Sequence, residues 1–183
     1  MKRLCYVPLL LLLACGQQPA STETNVVQAA TDGGQSTVQD ETSQPDVVRV
    51  AVGSPDHTTL VTALTTAEYV DALSNAGPFT VFAPTNAAFD KLPAGTVENL
   101  LKPESKDALR NILEYHVYVG VIKEDYIQDG MTLNQVNLDN VTLHKKDGKI
   151  TVNGANVLAV VKASNGVVYV IDGVLLPPEK NNN

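Results

Sequence analysis

The chain has 183 residues, enough for one domain with appendages, and a formal charge of −7 that becomes −9 once Lys2 and Arg3, the only charged residues before Cys15, are set aside. Nucleic-acid binding needs a basic surface, so that class is excluded, and with no Trp, 6 Tyr and 3 Phe there is little to stack on single strands or sugars. Both cysteines, Cys5 and Cys15, sit at the extreme N-terminus, which leaves the rest of the chain without a disulfide.

Met1-Lys2-Arg3 is a basic start, and the apolar run from Leu4 to Ala14 is too short to cross a bilayer as a helix. The run ends Leu12-Leu13-Ala14-Cys15. This resembles a bacterial lipoprotein signal, which implies that residues 1–14 are removed and that Cys15 is lipidated and becomes the new N-terminus. The alternative is an ordinary signal peptide cleaved near Ala14. Gly16, rather than an aspartate, follows the cysteine. By the same resemblance this implies the outer membrane where the envelope is Gram-negative. Residues 15–45 are rich in Ser, Thr, Gln, Gly, Asp and Asn, with only Val26, Val27 and Val38 breaking the polarity. Such a segment has too little apolar surface to offset ordering and reads as a disordered tether, holding the rest of the chain about 30 Å from a membrane.

From residue 46 the pattern becomes periodic. Asp46 is placed to cap a short helix through Val47, Val50 and Ala51 that Gly53 stops, and Asp56 to cap a second carrying Leu60, Ala63, Leu64 and Ala67. Val70 and Leu73 extend that apolar face as far as Asn75-Ala76-Gly77. Phe79 to Ala83 is β-branched and aromatic and reads as a strand; Pro84 ends it, and Thr85 can cap a helix whose first turn is Asn86-Ala87-Ala88-Phe89. Phe82 and Phe89 are expected in the core. Thr96 starts a short helix, and Ser105 is placed to cap a longer one with Leu109, Ile112, Leu113 and His116 along one stripe.

Strands begin at Tyr118. Val141 and Leu143 alternate with Thr142 and His144 and face inward. Asp147-Gly148, Asn153-Gly154 and Ser164-Asn165-Gly166 are turns, separating strands at Ile150-Val152, Val157-Val161 and Val167-Ile171. The last of these barely alternates, so both its faces are expected to be covered, and it is expected to meet the Phe79 strand in one core. Pro177-Pro178 closes the domain, which spans 46–178, and residues 179–183 form a polar tail. Helices first and strands later indicate an α+β fold.

Three stretches carry a family resemblance. Thr80-Val81-Phe82-Ala83-Pro84-Thr85-Asn86-Ala87-Ala88-Phe89 resembles the first sequence block of the fasciclin domain, Asn165-Gly166-Val167-Val168-Tyr169-Val170-Ile171-Asp172-Gly173-Val174-Leu175-Leu176-Pro177 resembles the second, and Tyr115-His116 between them resembles the family's tyrosine–histidine pair. Their order and separations also match. The resemblance implies a curved β-sheet wedge with the helices packed along it, built on Phe79, Phe82, Pro84, Thr85, Asn86, Phe89, Tyr169, Ile171 and Asp172. In animal members the tyrosine–histidine region is linked to integrin-mediated adhesion, so Tyr115 and His116 are candidate binding residues. The residue-level alternative for His116 is a buried neutral imidazole hydrogen-bonded through one ring nitrogen. Asp172 is either at an exposed bulge or buried and accepting backbone N–H bonds.

Catalytic chemistry finds little support. His57, His116 and His144 are not at metal-ligand spacing with one another or with a cysteine, so no metal or cofactor is expected. No Gly-x-Ser-x-Gly elbow or phosphate-cradling loop occurs, and the Glu124-Asp125 pair lies among polar residues as a solvated surface. Asn140-Val141-Thr142 matches a glycosylation sequon, which the lipoprotein signal argues against. The reading is a non-catalytic, membrane-anchored binding or adhesion module. It would be held to the lipid bilayer by Cys15 and directed at a protein or polysaccharide partner of the cell envelope. The alternatives are a structural envelope protein that self-associates through an apolar patch or an unpaired strand edge, and an enzyme with an unrecognised site.

Overall fold

Short apolar stripes and well-placed caps set the helical half. The structure, a computed structural model, describes residues 44–178; the expected signal peptide, Cys15, the expected tether as far as residue 43 and the expected tail 179–183 lie outside it. Asp46 accepts the Arg49 N–H at 2.8 Å and caps α1 (Val47–Val52), which buries Val47, Val48 and Ala51 and ends on Gly53. Asp56 does not cap the next helix. Pro55 at a first helical position starts a 3₁₀ turn, Pro55–His57, and Asp56 is left exposed inside it. Helix α2 (Thr58–Thr66) comes next and buries Leu60, Ala63 and Leu64; α3 (Val70–Ser74) buries Leu73.

The strand–proline–helix corner forms as its residues dictate. β1 (Phe79–Pro84) runs into Thr85, whose hydroxyl accepts the Ala88 N–H at 3.3 Å and caps α4 (Asn86–Phe89). Phe82 is buried, but Phe89 is only half-buried, because α4 is a single turn at the edge of the helical layer. Gly95, in the left-handed region, precedes α5 (Thr96–Leu100). Ser105 makes no side-chain cap, since a 3₁₀ turn, Pro103–Ser105, runs directly into α6 (Lys106–Tyr115) and already sets its first turn.

The strands β2 (Val117–Val119), β3 (Met131–Asn134), β4 (Asn140–Lys146), β5 (Lys149–Val152), β6 (Ala155–Ala163) and β7 (Gly166–Ile171) join β1 in one seven-stranded sheet of order β2-β1-β7-β6-β5-β4-β3. The fold is α+β, with helices ahead of a mixed sheet. β1 and β7 pair in parallel, Val81 opposite Val168 and Phe82 opposite Tyr169, while the other neighbours run antiparallel. Asp147-Gly148 and Asn153-Gly154 turn with φ of 50° and 75° and of 45° and 87°, the left-handed geometry that two-residue hairpins require. Gly166 is needed for another reason: a Cβ there would collide with the Phe79 carbonyl across the parallel pair.

Two cores result, one on each side of the β1–β7 seam. Val81, Ala83 and Val168 pack against Val47, Leu60, Leu64, Leu73, Leu109 and Leu113 of the helices. Phe82, Tyr169 and Ile171 face the other way, against Tyr115, Leu133, Val141, Leu143 and Val152. The rings of Phe82 and Tyr169 are 5.8 Å apart and tilted. The two distant stretches do meet, but as the wall between two cores rather than inside one.

Candidate functional site

The tyrosine–histidine pair falls where α6 ends and β2 begins, and its two side chains part company there. Tyr115 (2% exposed) enters the sheet-side core, where its hydroxyl donates to the Asn140 carbonyl at 2.8 Å and accepts from Asn153 Nδ2 at 2.9 Å. Burial pushes its pKa up. His116 (3% exposed) borders the helix-side core beside Val81 and Leu113. Its Nδ1 lies 2.8 Å from the Ile112 carbonyl, and its Nε2 accepts the Leu175 N–H at 3.0 Å. An acceptor at Nε2 and a carbonyl beside Nδ1 fix the Nδ1–H tautomer of a neutral ring. Burial brings the pKa down to about 4. The His116 carbonyl accepts the Phe82 N–H at 2.9 Å, so one residue ties α6, β1 and the C-terminal segment together.

Asparagines do comparable work that local patterns do not reveal. The sequence places Asn86 only in the first turn of α4. Its Oδ1 accepts the Thr59 N–H at 3.0 Å and the Thr58 hydroxyl at 3.2 Å, and its Nδ2 donates to the Pro55 carbonyl at 3.0 Å. It caps α2 from across the fold, the role expected of Asp56. Asn165, in sequence only a turn residue, accepts the Val47 N–H at 2.9 Å and donates to the carbonyls of Leu73 and Asn75 at 2.7 and 2.9 Å. Its carbonyl accepts the Phe79 N–H. The starts of α1 and β1 and the end of α3 converge on one residue. A signal exists in each case, a short amide inside a largely apolar block, but nothing in the sequence names the partners.

Asp172 resolves its two alternatives by combining them. It is half-exposed just past β7, and its carboxylate accepts the Asn156 N–H at 2.7 Å and Asn156 Nδ2 at 2.9 Å. Lys91 Nζ lies 3.6 Å from the carboxylate and donates to the Asp172 carbonyl. The Asn156 hydrogen bonds, aided by Lys91, hold the carboxyl below its ordinary pKa. A carboxylate held ionised by an amide and a lysine is poorly suited to take up a proton. His57, buried beside Ser54 at 2.8 Å, also has a lowered pKa; desolvation outweighs the opposing effects of Asp56 and the Ala83 carbonyl.

The segment after β2 folds back over the sheet. Ile122 is clamped at both backbone ends: Thr80 Oγ1 accepts its N–H at 3.1 Å, and the Tyr169 hydroxyl donates to its carbonyl at 2.8 Å. Burial pushes the Tyr169 hydroxyl up to about 12. A groove of about 770 Å³ opens between this segment and β6, with Val160, Lys162 and Tyr169 on one side and Val121, Glu124 and Asp125 on the other. Glu124 and Asp125 are exposed. Among the described residues no cluster of three His, Cys, Asp or Glu side chains is placed to hold a metal ion, and no helix is long and apolar enough to cross a membrane.

The fasciclin domain model matches residues 55–177, from the turn before α2 to the proline that closes the domain. The chain belongs to the fasciclin domain family. Relatives agree. Protein sll1483 of Synechocystis sp. (strain ATCC 27184 / PCC 6803 / Kazusa) is 49% identical over 161 residues, covering 86% of this chain and 83% of the relative. Cell surface glycolipoprotein MPB83 of Mycobacterium bovis is 40% identical over 141 residues, covering 74% of this chain and 62% of its own length. In three dimensions the fasciclin domain is similar to a FAS1 domain pair from the insect cell adhesion molecule Fasciclin I, with a TM-score of 0.64 at 19% identity. That match covers 72% of this chain and 51% of the other, and it shows the fold alone. The expected α+β fasciclin architecture is therefore the one present, and the chain is related to bacterial cell-surface glycolipoproteins.

Proposed function

We propose that this fasciclin domain is a non-catalytic binding module of the bacterial cell envelope, anchored by a lipid on Cys15 and carried on the polar segment 15–45. The observation that carries the reading is the use made of the polar groups in the family blocks. Tyr115, His116, Asn86, Asn165 and Asp172 all direct their hydrogen bonds at the chain's own backbone or at Asn153, Asn156 and the hydroxyl of Thr58. Groups committed in this way hold a fold together and are not free to meet a substrate atom. Tyr115 and His116 then support adhesion indirectly, by fixing the surface around them, and partner contact falls on exposed residues. The similarity to a cell surface glycolipoprotein and the Leu12-Leu13-Ala14-Cys15 sequence support the envelope assignment. A single acyl chain binds a membrane only marginally, and additional chains, at about 0.8 kcal/mol per buried CH₂, would make the attachment durable.

The test is phase partitioning of the expressed protein in detergent, with intact-mass analysis of its N-terminus. Lipidated Cys15 sends wild type to the detergent phase, and Cys15→Ala leaves the protein unprocessed or aqueous. An unmodified N-terminus overturns the anchor. Turnover in a hydrolase and transferase screen that survives repurification and disappears with one polar substitution overturns the non-catalytic reading.

A further inference from the structure

β6 belongs to two half-ladders that diverge along its length. Its first residues pair with β5, Val152 opposite Ala155 and Thr151 opposite Asn156. A bulge between Val157 and Ala159 then bends it, and from Ala159 to Ala163 it pairs with β7 alone. On the side away from β7, residues 157–163 have no backbone partner among the described residues. The free edge is seven residues, about 23 Å long. It reads Val-Leu-Ala-Val-Val-Lys-Ala with a single charge, and Leu158, Ala159, Val161 and Lys162 are exposed. An apolar, β-branched strand with an open edge is a template for another strand.

We propose that this edge pairs antiparallel with the same edge of a second copy of the chain, about a two-fold axis at Val160. The occupant is argued from the sequence of the edge. Val160 is its midpoint, so the register centred there is the one that uses all seven free positions. In that register Val157 faces Ala163, Leu158 faces Lys162, and Ala159 faces Val161. The one charge of each strand meets a leucine and never its own copy, so no like charges oppose each other. Ala159 and Val161 of both copies form an apolar quartet on the side of Val168, and the half-exposed Val160 side chains meet on the side of Tyr169. The rival occupant is the chain's own segment before Gln44, since Pro45 accepts the Ser164 N–H at the end of β6. The seven residues before Gln44, Thr37-Val38-Gln39-Asp40-Glu41-Thr42-Ser43, offer Val38 alone to cover Leu158 and Val161, whereas the Val157, Leu158, Val160 and Val161 of a second β6 cover them fully. A single strand pair is smaller than a standard stable interface, so the dimer is weak, with Kd roughly between 1 and 500 µM. The proposal stands apart from the anchor and from the binding role above.

The test is sedimentation equilibrium of the full chain in density-matched detergent over a hundredfold concentration range, with hydrogen-exchange mass spectrometry on the same samples. The expected result is a monomer–dimer equilibrium in which protection of 157–163 rises with concentration. Ala159→Lys with Val161→Lys puts like charges opposite each other twice, and Kd rises about tenfold or more. Ala159→Asp with Val161→Lys puts opposite charges there and restores dimerisation relative to Val161→Lys alone. All these side chains are exposed, so unchanged thermal melts are the control for folding. A chain that stays monomeric to 500 µM, or a dimer indifferent to the sign of these charges, overturns the proposal. Protection of 157–163 that is independent of concentration and lost on deletion of residues 16–43 assigns the edge to the chain's own N-terminal segment and overturns it as well.

Discussion

β6 and β7 are adjacent strands made of nearly the same residues, Val157-Leu158-Ala159-Val160-Val161 and Val167-Val168-Tyr169-Val170-Ile171, yet they have opposite surroundings. β7 is flanked by β1 and β6, has a core on each face, and buries Val167, Val168, Tyr169 and Ile171. Among the described residues, 157–163 of β6 have β7 as their one strand neighbour, and Leu158 is 59% exposed. The difference teaches that an apolar run encodes a strand without encoding its place in the sheet. Here the place is decided by Gly166, which lets β1 approach β7, and by the bulge that turns β6 away from β5.

Mutation should separate the two regions sharply. The largest effect is expected at the seam. Phe82→Ala removes a buried ring that packs on Tyr169, and a loss of about 3–5 kcal/mol is expected in denaturant unfolding. A loss below about 1 kcal/mol would mean that the seam is no better packed than the edge.

Next in size is a pH effect that belongs to the seam's own support. His116 is held neutral in the folded chain down to about pH 4, while the unfolded chain protonates it near 6.5. Between those values the unfolded state binds more protons. Stability contributed by the neutral ring is therefore complete above about 6.5 and is lost as pH falls towards 4, by on the order of 3 kcal/mol. His57, also lowered, adds in the same direction. Unfolding free energies of wild type and His116→Gln at pH 7 and pH 4.5 check this: the variant is less stable at pH 7, by about 1–3 kcal/mol, and has the flatter pH dependence. Equal pH slopes would place His116 in solvent.

The smallest effect is expected on β6. Leu158→Ser, measured at low micromolar concentration, should change unfolding free energy by less than about 0.5 kcal/mol, because the side chain is already in water. A cost near that of a core leucine would show that the edge is covered in solution.

Much of this was legible in the residues. The cap at Thr85, the inward pair Val141 and Leu143, the two-residue turns at Asp147-Gly148 and Asn153-Gly154 and the burial of His116 all come from local chemistry: a hydroxyl before a helical turn, period-two alternation, residues tolerant of positive φ, and a histidine on an apolar stripe. Two expected caps failed for an equally local reason. Prolines at 55 and 103 start 3₁₀ turns, so that Asp56 lies inside one and Ser105, although it is the residue before α6, makes no side-chain cap.

By itself, then, the sequence determined most of the helices and strands (though not β3), where most turns fall, and most of the side chains that must leave water, because propensity and hydrophobic period act over a few residues. Tertiary structure alone decided that β1 and β7 run in parallel as a wall between two cores, that Asn86 and Asn165 reach across gaps of 27 and 118 residues to the backbones of Thr59 and Val47, and that residues 157–163 of β6 pair on one edge only among the described residues. Such pairings depend on which distant backbone groups remain unsatisfied once the layers have packed, and no local pattern carries that information.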